Sequence, residues 1–140
     1  MKKIQKKGFT LLELLVVISI IGILVALGAV AFSTAQKKGR DAKRRGDIKA
    51  MQNAFEQYYS INNGSYSTTC LTMWTGSQST GSLPTDPKPT QSYSTTAGCT
   101  PTASYEYCIC AQLEETGTGN ASNSTCTFGA GNYFCVKNLQ

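Results

Sequence analysis

Hydrophobic and polar positions divide the chain into three unlike stretches. From Phe9 to Phe32 it is apolar on every side, and Glu13 is the one ionisable side chain. A helix that is apolar all round has no face for water and must be covered by protein or lipid. As a helix the stretch would be about 36 Å long, enough for a hydrocarbon core of about 30 Å. From Lys37 to Lys49 bases and acids mix with Gly39 and Gly46. Then Ile48, Met51, Phe55 and Tyr58 or Tyr59 recur at steps of three and four, which predicts an amphipathic continuation whose apolar face packs under a domain. Asn62, Asn63 and Gly64 supply a left-handed stop. One helix of about 80 Å is therefore predicted, ending near Ile61.

Beyond the helix, residues 64–104 are close to half Ser or Thr, and Thr75 to Pro101 reads as a loop containing Pro84, Pro87, Pro89 and Pro101. Two later segments read as β structure. Tyr105 to Ala111 has strand character, which puts Cys108 and Cys110 on one face, too far apart along it to bond to each other. Thr125 to Lys137 reads as a hairpin with Ala130 and Gly131 at its tip, which sets Cys126 opposite Cys135. All six cysteines lie in this last part. A small exported domain with a thin core is commonly stapled by disulfides. The expected framework joins Cys126 to Cys135 and gives Cys70 and Cys99 each one of Cys108 and Cys110, in either order. Trp74 is read as a core residue in preference to an exposed contact. The sequons at Asn63, Asn120 and Asn123 are read as chance matches.

Composition narrows the function. The chain has 140 residues, no histidine and a net charge of +5 from 13 Lys and Arg against 8 Asp and Glu. Without histidine the usual general base near neutral pH is missing, and no catalytic constellation is visible, so no enzyme is expected. Four of the bases, Lys2, Lys3, Lys6 and Lys7, precede residue 8. The rest of the basic excess falls between Lys37 and Lys49. A nucleic-acid partner stays open but is not indicated, because the part expected to fold is mildly acidic. The pairs Lys37 with Asp41, Asp41 with Arg45 and Lys43 with Asp47 have helical spacing, each worth about 0.2–0.5 kcal/mol on an exposed surface. This segment is read first as a solvated face with bridges between subunits, then as a plain solvated helix, an anionic-lipid contact or a polyanion site. No metal and no cofactor are expected. Cys108-x-Cys110 lacks zinc-ligand spacing and histidine, and Glu114 with Glu115 lacks calcium-loop spacing.

Glu13 needs an explanation, because an acidic side chain within an apolar span costs about 3 kcal/mol near its centre and requires a partner. A cut after Gly8 would create an amine on Phe9, and a carboxylate from another copy would relieve both charges. The run Lys6, Lys7, Gly8, Phe9, Thr10, Leu11, Leu12, Glu13, followed by the apolar stretch, resembles the class III signal of type IV pilins and of type II secretion pseudopilins. The segment Ala54 to Tyr59 with Asn63, Gly64, Ser65 and Tyr66 is similar to the helix end of the same family. Ser67 stands where a proline commonly follows, and Val30 stands where many pilins have a kinking proline. Gly22 and Gly28 are then the weak points of the helix, or sites of close packing. The resemblance implies that a prepilin peptidase cuts between Gly8 and Phe9 and methylates the Phe9 amine, and that Glu13 sets subunit register in a filament.

The resulting expectation is an α+β, pilin-like fold. A leader (1–8) is removed, residues 9–32 form the membrane and filament-core half of the helix, 33–61 its amphipathic half, and 62–140 a small disulfide-stapled antiparallel β domain. The expected function is a pilin that polymerises into a type IV pilus for adhesion, motility or DNA uptake. A type II secretion pseudopilin is the alternative, and a monomeric membrane-anchored binding domain is the second. The expected partners are identical or related pilin subunits, the prepilin peptidase, an inner-membrane assembly platform, and the membrane before assembly. The precursor is expected in the cytoplasmic membrane with its C-terminal part exported, and the assembled form outside the cell. Counting bases on the two sides of the span points the other way. The family and the cysteines decide for export. A cleaved secretory signal ending at Ala29, Val30 and Ala31 is disfavoured by the length of the apolar run and by Glu13.

Overall fold

The computed structural model describes residues 8–77, 79, 81–93 and 106–140. The chain divides into two compact units, Met1–Gln36 and Lys37–Gln140. Helix α1, Leu11–Ile61, contributes to both. In the first unit all described residues are exposed, including Phe9 at 92% and the large apolar side chains that follow it to Phe32. This segment is long and apolar enough to cross a membrane.

In the second unit α1 ends as the pattern predicts. Asn63 and Gly64 both have positive φ, at 57° and 73°, and the Gly64 N–H donates back to the Tyr59 carbonyl at 3.1 Å. Ile48, Met51 and Phe55 are fully buried, and Tyr58 and Tyr59 border the same core. They pack with Tyr66, Met73, Tyr93, Tyr107, Ile109 and Val136. Tyr107 stands edge-on to both Phe55 and Tyr66, with ring centroids 5.3 and 5.0 Å apart. Trp74 is partly buried against this cluster.

A short helix α2, Cys70–Gly76, follows the stop, in a region whose Ser/Thr content hides the anchors Cys70 and Met73. Four strands complete the unit: β1 Cys108–Gln112, β2 Gly119–Ala121, β3 Phe128–Gly131 and β4 Tyr133–Lys137. They form an antiparallel sheet in the order β1-β4-β2-β3. The fold is α+β and pilin-like, with one half of a long helix packed on a small disulfide-bonded antiparallel sheet.

One expectation is corrected. The two strands of the predicted 125–137 hairpin exist but do not pair with each other. Only Asn132 separates them, and a hairpin needs at least two loop residues. β2 lies between them, opposite Gly131 and Phe128 on one side and Tyr133 on the other. Glycine makes this insertion sterically workable. A Cβ on Gly119 would strike the Tyr133 backbone, and one on Gly131 the Ala121 backbone. The true β2–β3 turn runs through 122–127 and is closed by the Ser122 N–H donating to Thr127 O at 3.0 Å.

Candidate functional site

The residues expected to carry processing and assembly lie together at the start of α1. Gly8 and Phe9 are exposed, with open space where a Gly8 Cβ would stand. Thr10 precedes the first turn, and its Oγ1 accepts the Glu13 N–H at 3.2 Å. Glu13 Oε2 in return accepts the Thr10 N–H and the Thr10 hydroxyl, both at 2.9 Å. This is a capping box, in which a Thr and a Glu three residues apart satisfy backbone donors that the first turn leaves free. Thr10 thus supplies two neutral donors to one Glu13 oxygen, and no cation. The signal was present in the sequence as Thr-x-x-Glu before an apolar run. Glu13 Oε1 has no hydrogen bond among the described residues and stays available to a cation from elsewhere.

A second constellation was not foreseen. Arg44 is completely buried, where an unpaired guanidinium would be prohibitive. Each of its five N–H donors has an acceptor. Nε and Nη2 form a fork on Asp86 at 2.8 and 2.9 Å, and Nη1 meets Asp41 at 2.7 Å and Glu114 at 2.9 Å. Gln91 Oε1 takes the last at 2.8 Å. Arg40 adds a second fork on Glu114, at 2.6 and 2.8 Å. Asp41 also accepts the N–H groups of Glu114 and Glu115, each at 2.9 Å. The cluster therefore ties α1 to the loop before residue 94 and to the segment after β1.

Its electrostatics follow from these contacts. The hydrogen bond from Arg40, reinforced by Arg44, holds the Glu114 carboxyl down at about 2. For Asp86, burial opposes ionisation, but the Arg44 bonds and the Lys88 N–H outweigh it and leave the pKa lowered. The hydrogen bond to Asp86 leads the causes that raise Arg44.

The expected surface pairs at helical spacing do not form among the described residues. Asp41 turns inward to Arg44, and Asp47 accepts the Tyr93 hydroxyl at 2.5 Å. Arg45 donates to Thr118 O at 2.5 Å and stands 5.1 Å from the Phe134 ring centroid. A charge run of this kind reads as a solvated face because sequence spacing shows neighbours on the helix and not those brought by the fold.

The disulfide framework also differs from the expected one. Cys108 bonds Cys126, and Cys110 bonds Cys135. Cys126 with Cys135, and a link from Cys70 or Cys99 to Cys108 or Cys110, are thereby excluded. The cause is the register: β4 pairs with β1, which sets Cys135 directly opposite Cys110. Cys126, at φ 56°, lies in the turn before β3, within bonding reach of Cys108. Cys108 and Cys110 do share a face, with sulfurs 3.7 Å apart and unbonded. Cys70 is disulfide-bonded as well, while Cys99 lies outside the described residues. The sulfurs of Cys108, Cys110 and Cys126 cluster within 4.8 Å, but as disulfides they offer no thiolate to a metal. Both Glu114 oxygens are occupied by arginine.

An exposed apolar helix start that carries a capped Glu13 after Gly8 and Phe9, joined to a disulfide-bonded α+β unit, defines a pilin-like protein. Residues 4–29 match the prokaryotic N-terminal methylation motif. The chain is 41% identical over 69 residues to type II secretion system core protein G of Aeromonas hydrophila, covering 49% of this chain and 48% of that protein. It is 37% identical over 90 residues to core protein G of Vibrio cholerae, covering 64% and 58%. It is 34% identical over 56 residues to the type IV major pilin protein PilA of Myxococcus xanthus, covering 40% and 26%. The chain spans about half the length of the curated core protein G relatives it matches. No solved structure matches it. Over its N-terminal part the chain is thus similar to type IV pilins and to type II secretion pseudopilins.

Proposed function

We propose that the chain is a pilin-like filament subunit, and that within the family it serves as a type II secretion pseudopilin. The observation that supports a filament role is the apolar surface from Phe9 to Phe32, which is exposed throughout and carries one carboxylate. Lipid can cover it in a membrane-anchored precursor, and the same segments of other subunits can cover it in a filament. In this reading the prepilin peptidase hydrolyses the Gly8–Phe9 amide and the new Phe9 amine is methylated. That amine then meets Glu13 Oε1 of a neighbouring subunit while Oε2 keeps its Thr10 cap. An inner-membrane platform drives extraction, the globular unit is exported, and no catalysis is assigned to the chain.

The pseudopilin reading rests on the similarity to core protein G in several bacteria. The pilus reading retains the similarity to PilA. Deleting the gene separates them: loss of secretion without visible filaments supports the pseudopilus, and loss of long surface filaments with secretion intact supports the pilus. Glu13→Ala is expected to abolish filament yield while leaving the membrane-inserted precursor, and unchanged yield overturns the assembly role. Intact-mass analysis is expected to show a chain starting at methylated Phe9.

A further inference from the structure

The seven bases from Lys37 to Lys49 oppose export by the positive-inside rule, so their presence on that side calls for a use. Folding consumes part of the set. Arg40 and Arg44 are held by Glu114, Asp41 and Asp86, and Arg45 by Thr118 and Phe134. Lys37 and Lys43 are exposed and have no ion pair or hydrogen bond among the described residues. Lys38 is 61% exposed and meets Glu115 only at 3.8 Å. Lys49 donates to Gln52 Oε1 at 2.9 Å, which leaves Lys37, Lys38 and Lys43 as three exposed cations without a close carboxylate on the early part of this segment.

Their place in the chain names the partner. Only Ser33, Thr34, Ala35 and Gln36 separate Phe32, the end of the apolar run, from Lys37. At the helical rise, Lys37 follows Phe32 by about 8 Å of chain and Lys43 by about 16 Å. The headgroup zone reaches about 5–8 Å beyond the hydrocarbon, and the field of an anionic surface about 8 Å further at physiological salt. We propose that Lys37, Lys38 and Lys43 form a docking surface for anionic phospholipid headgroups, which holds the globular unit against the membrane before the subunit is extracted. Each lysine near such a surface favours anionic over neutral lipid by about fivefold. The contact is reversible and screened by salt, as a step preceding extraction requires. It rests on the membrane-anchored reading above.

The test uses the full chain in vesicles of phosphatidylcholine with and without phosphatidylglycerol. Lysines are labelled with a water-soluble acylating reagent and quantified by mass spectrometry. Labelling of Lys37, Lys38 and Lys43 is expected to fall several-fold in the anionic vesicles, to recover in about 1 M salt, where screening shortens to about 3 Å, and to leave Lys137 unchanged. The variant K37E/K43E, which alters no described contact, is expected to lose the protection at Lys38. A chain that resists alkaline washing but labels equally in both vesicles overturns this proposal alone. A chain stripped by the wash overturns the anchored reading and this proposal with it.

Discussion

Arg44 shows how much one side chain can hold in a domain with few large aliphatics. Its worth lies less in net ion-pair energy, which desolvation largely offsets, than in what its removal would strand. Arg44→Met would leave Asp41, Asp86 and Glu114 facing one another without their shared cation, and a loss of about 3–5 kcal/mol is expected. Denaturant titration followed by Trp74 fluorescence checks this, and a loss under about 1 kcal/mol would mean that water already screens the cluster. Arg44→Lys is expected to recover little, because an ammonium cannot reproduce the fork on Asp86 while reaching Gln91. The same contacts predict an acid limb. The folded-state pKa of Glu114 lies at about 2, below its ordinary value of 4.5. Its contribution is therefore complete above about pH 4.5 and lost as pH falls through about 2. Asp86, shifted the same way, adds to it. Unfolding free energy measured between pH 6 and pH 2 should fall over that window, and Glu114→Gln should flatten the slope.

At the level of elements, what could be read from sequence was what is local. The helix, its stop at Asn63 and Gly64, and its buried face at Ile48, Met51 and Phe55 all follow from spacing and backbone preference. Gly8 and Phe9, proposed for processing, and Glu13, proposed for assembly register, stand in a short contiguous motif that also holds the Thr10–Glu13 cap. Strand partners could not be read, because pairing joins residues far apart and β2 is only three residues long. Asn120 illustrates the difficulty, since as a sequon it looks incidental. In the structure its amide takes the place of a strand neighbour, with Oδ1 accepting the Cys135 N–H at 2.7 Å and Nδ2 donating to Cys135 O at 2.9 Å. Asn120→Ala would leave both backbone groups of a buried residue unpaired, and a loss of about 1–3 kcal/mol is expected. Asn120→Asp keeps the acceptor but not the donor and should fall between the two. Hydrogen exchange at the Cys135 amide reports this directly, and unchanged protection in Asn120→Ala would remove the amide from the sheet's support.

For the whole molecule the two described bridges divide the stapling unequally. Their sequence separations are 18 and 25 residues, so chain entropy alone makes each worth about 3 kcal/mol. Their surroundings differ. Cys110 and Cys135 are each 1% exposed beneath the sheet, whereas Cys108 and Cys126 are half-buried near the surface. A thiolate must reach the sulfur it attacks, so access separates bridges that loop length leaves equal. A limiting thiol followed by acid quenching and alkylation is expected to label Cys108 and Cys126 while Cys110 and Cys135 stay joined. The added thiol itself should reach the inner bridge only under conditions that unfold the second unit. Because the Cys126 sulfur lies 3.8 Å from that of Cys110, slow quenching should also yield a Cys110–Cys126 isomer, in which the freed thiolate displaces Cys135. Early labelling of Cys135 with the unit still folded and no such isomer present would show that the sheet does not shield its own staple. The expected order would instead give the domain an outer bridge that can be lost and an inner one that persists for as long as β1 and β4 stay paired.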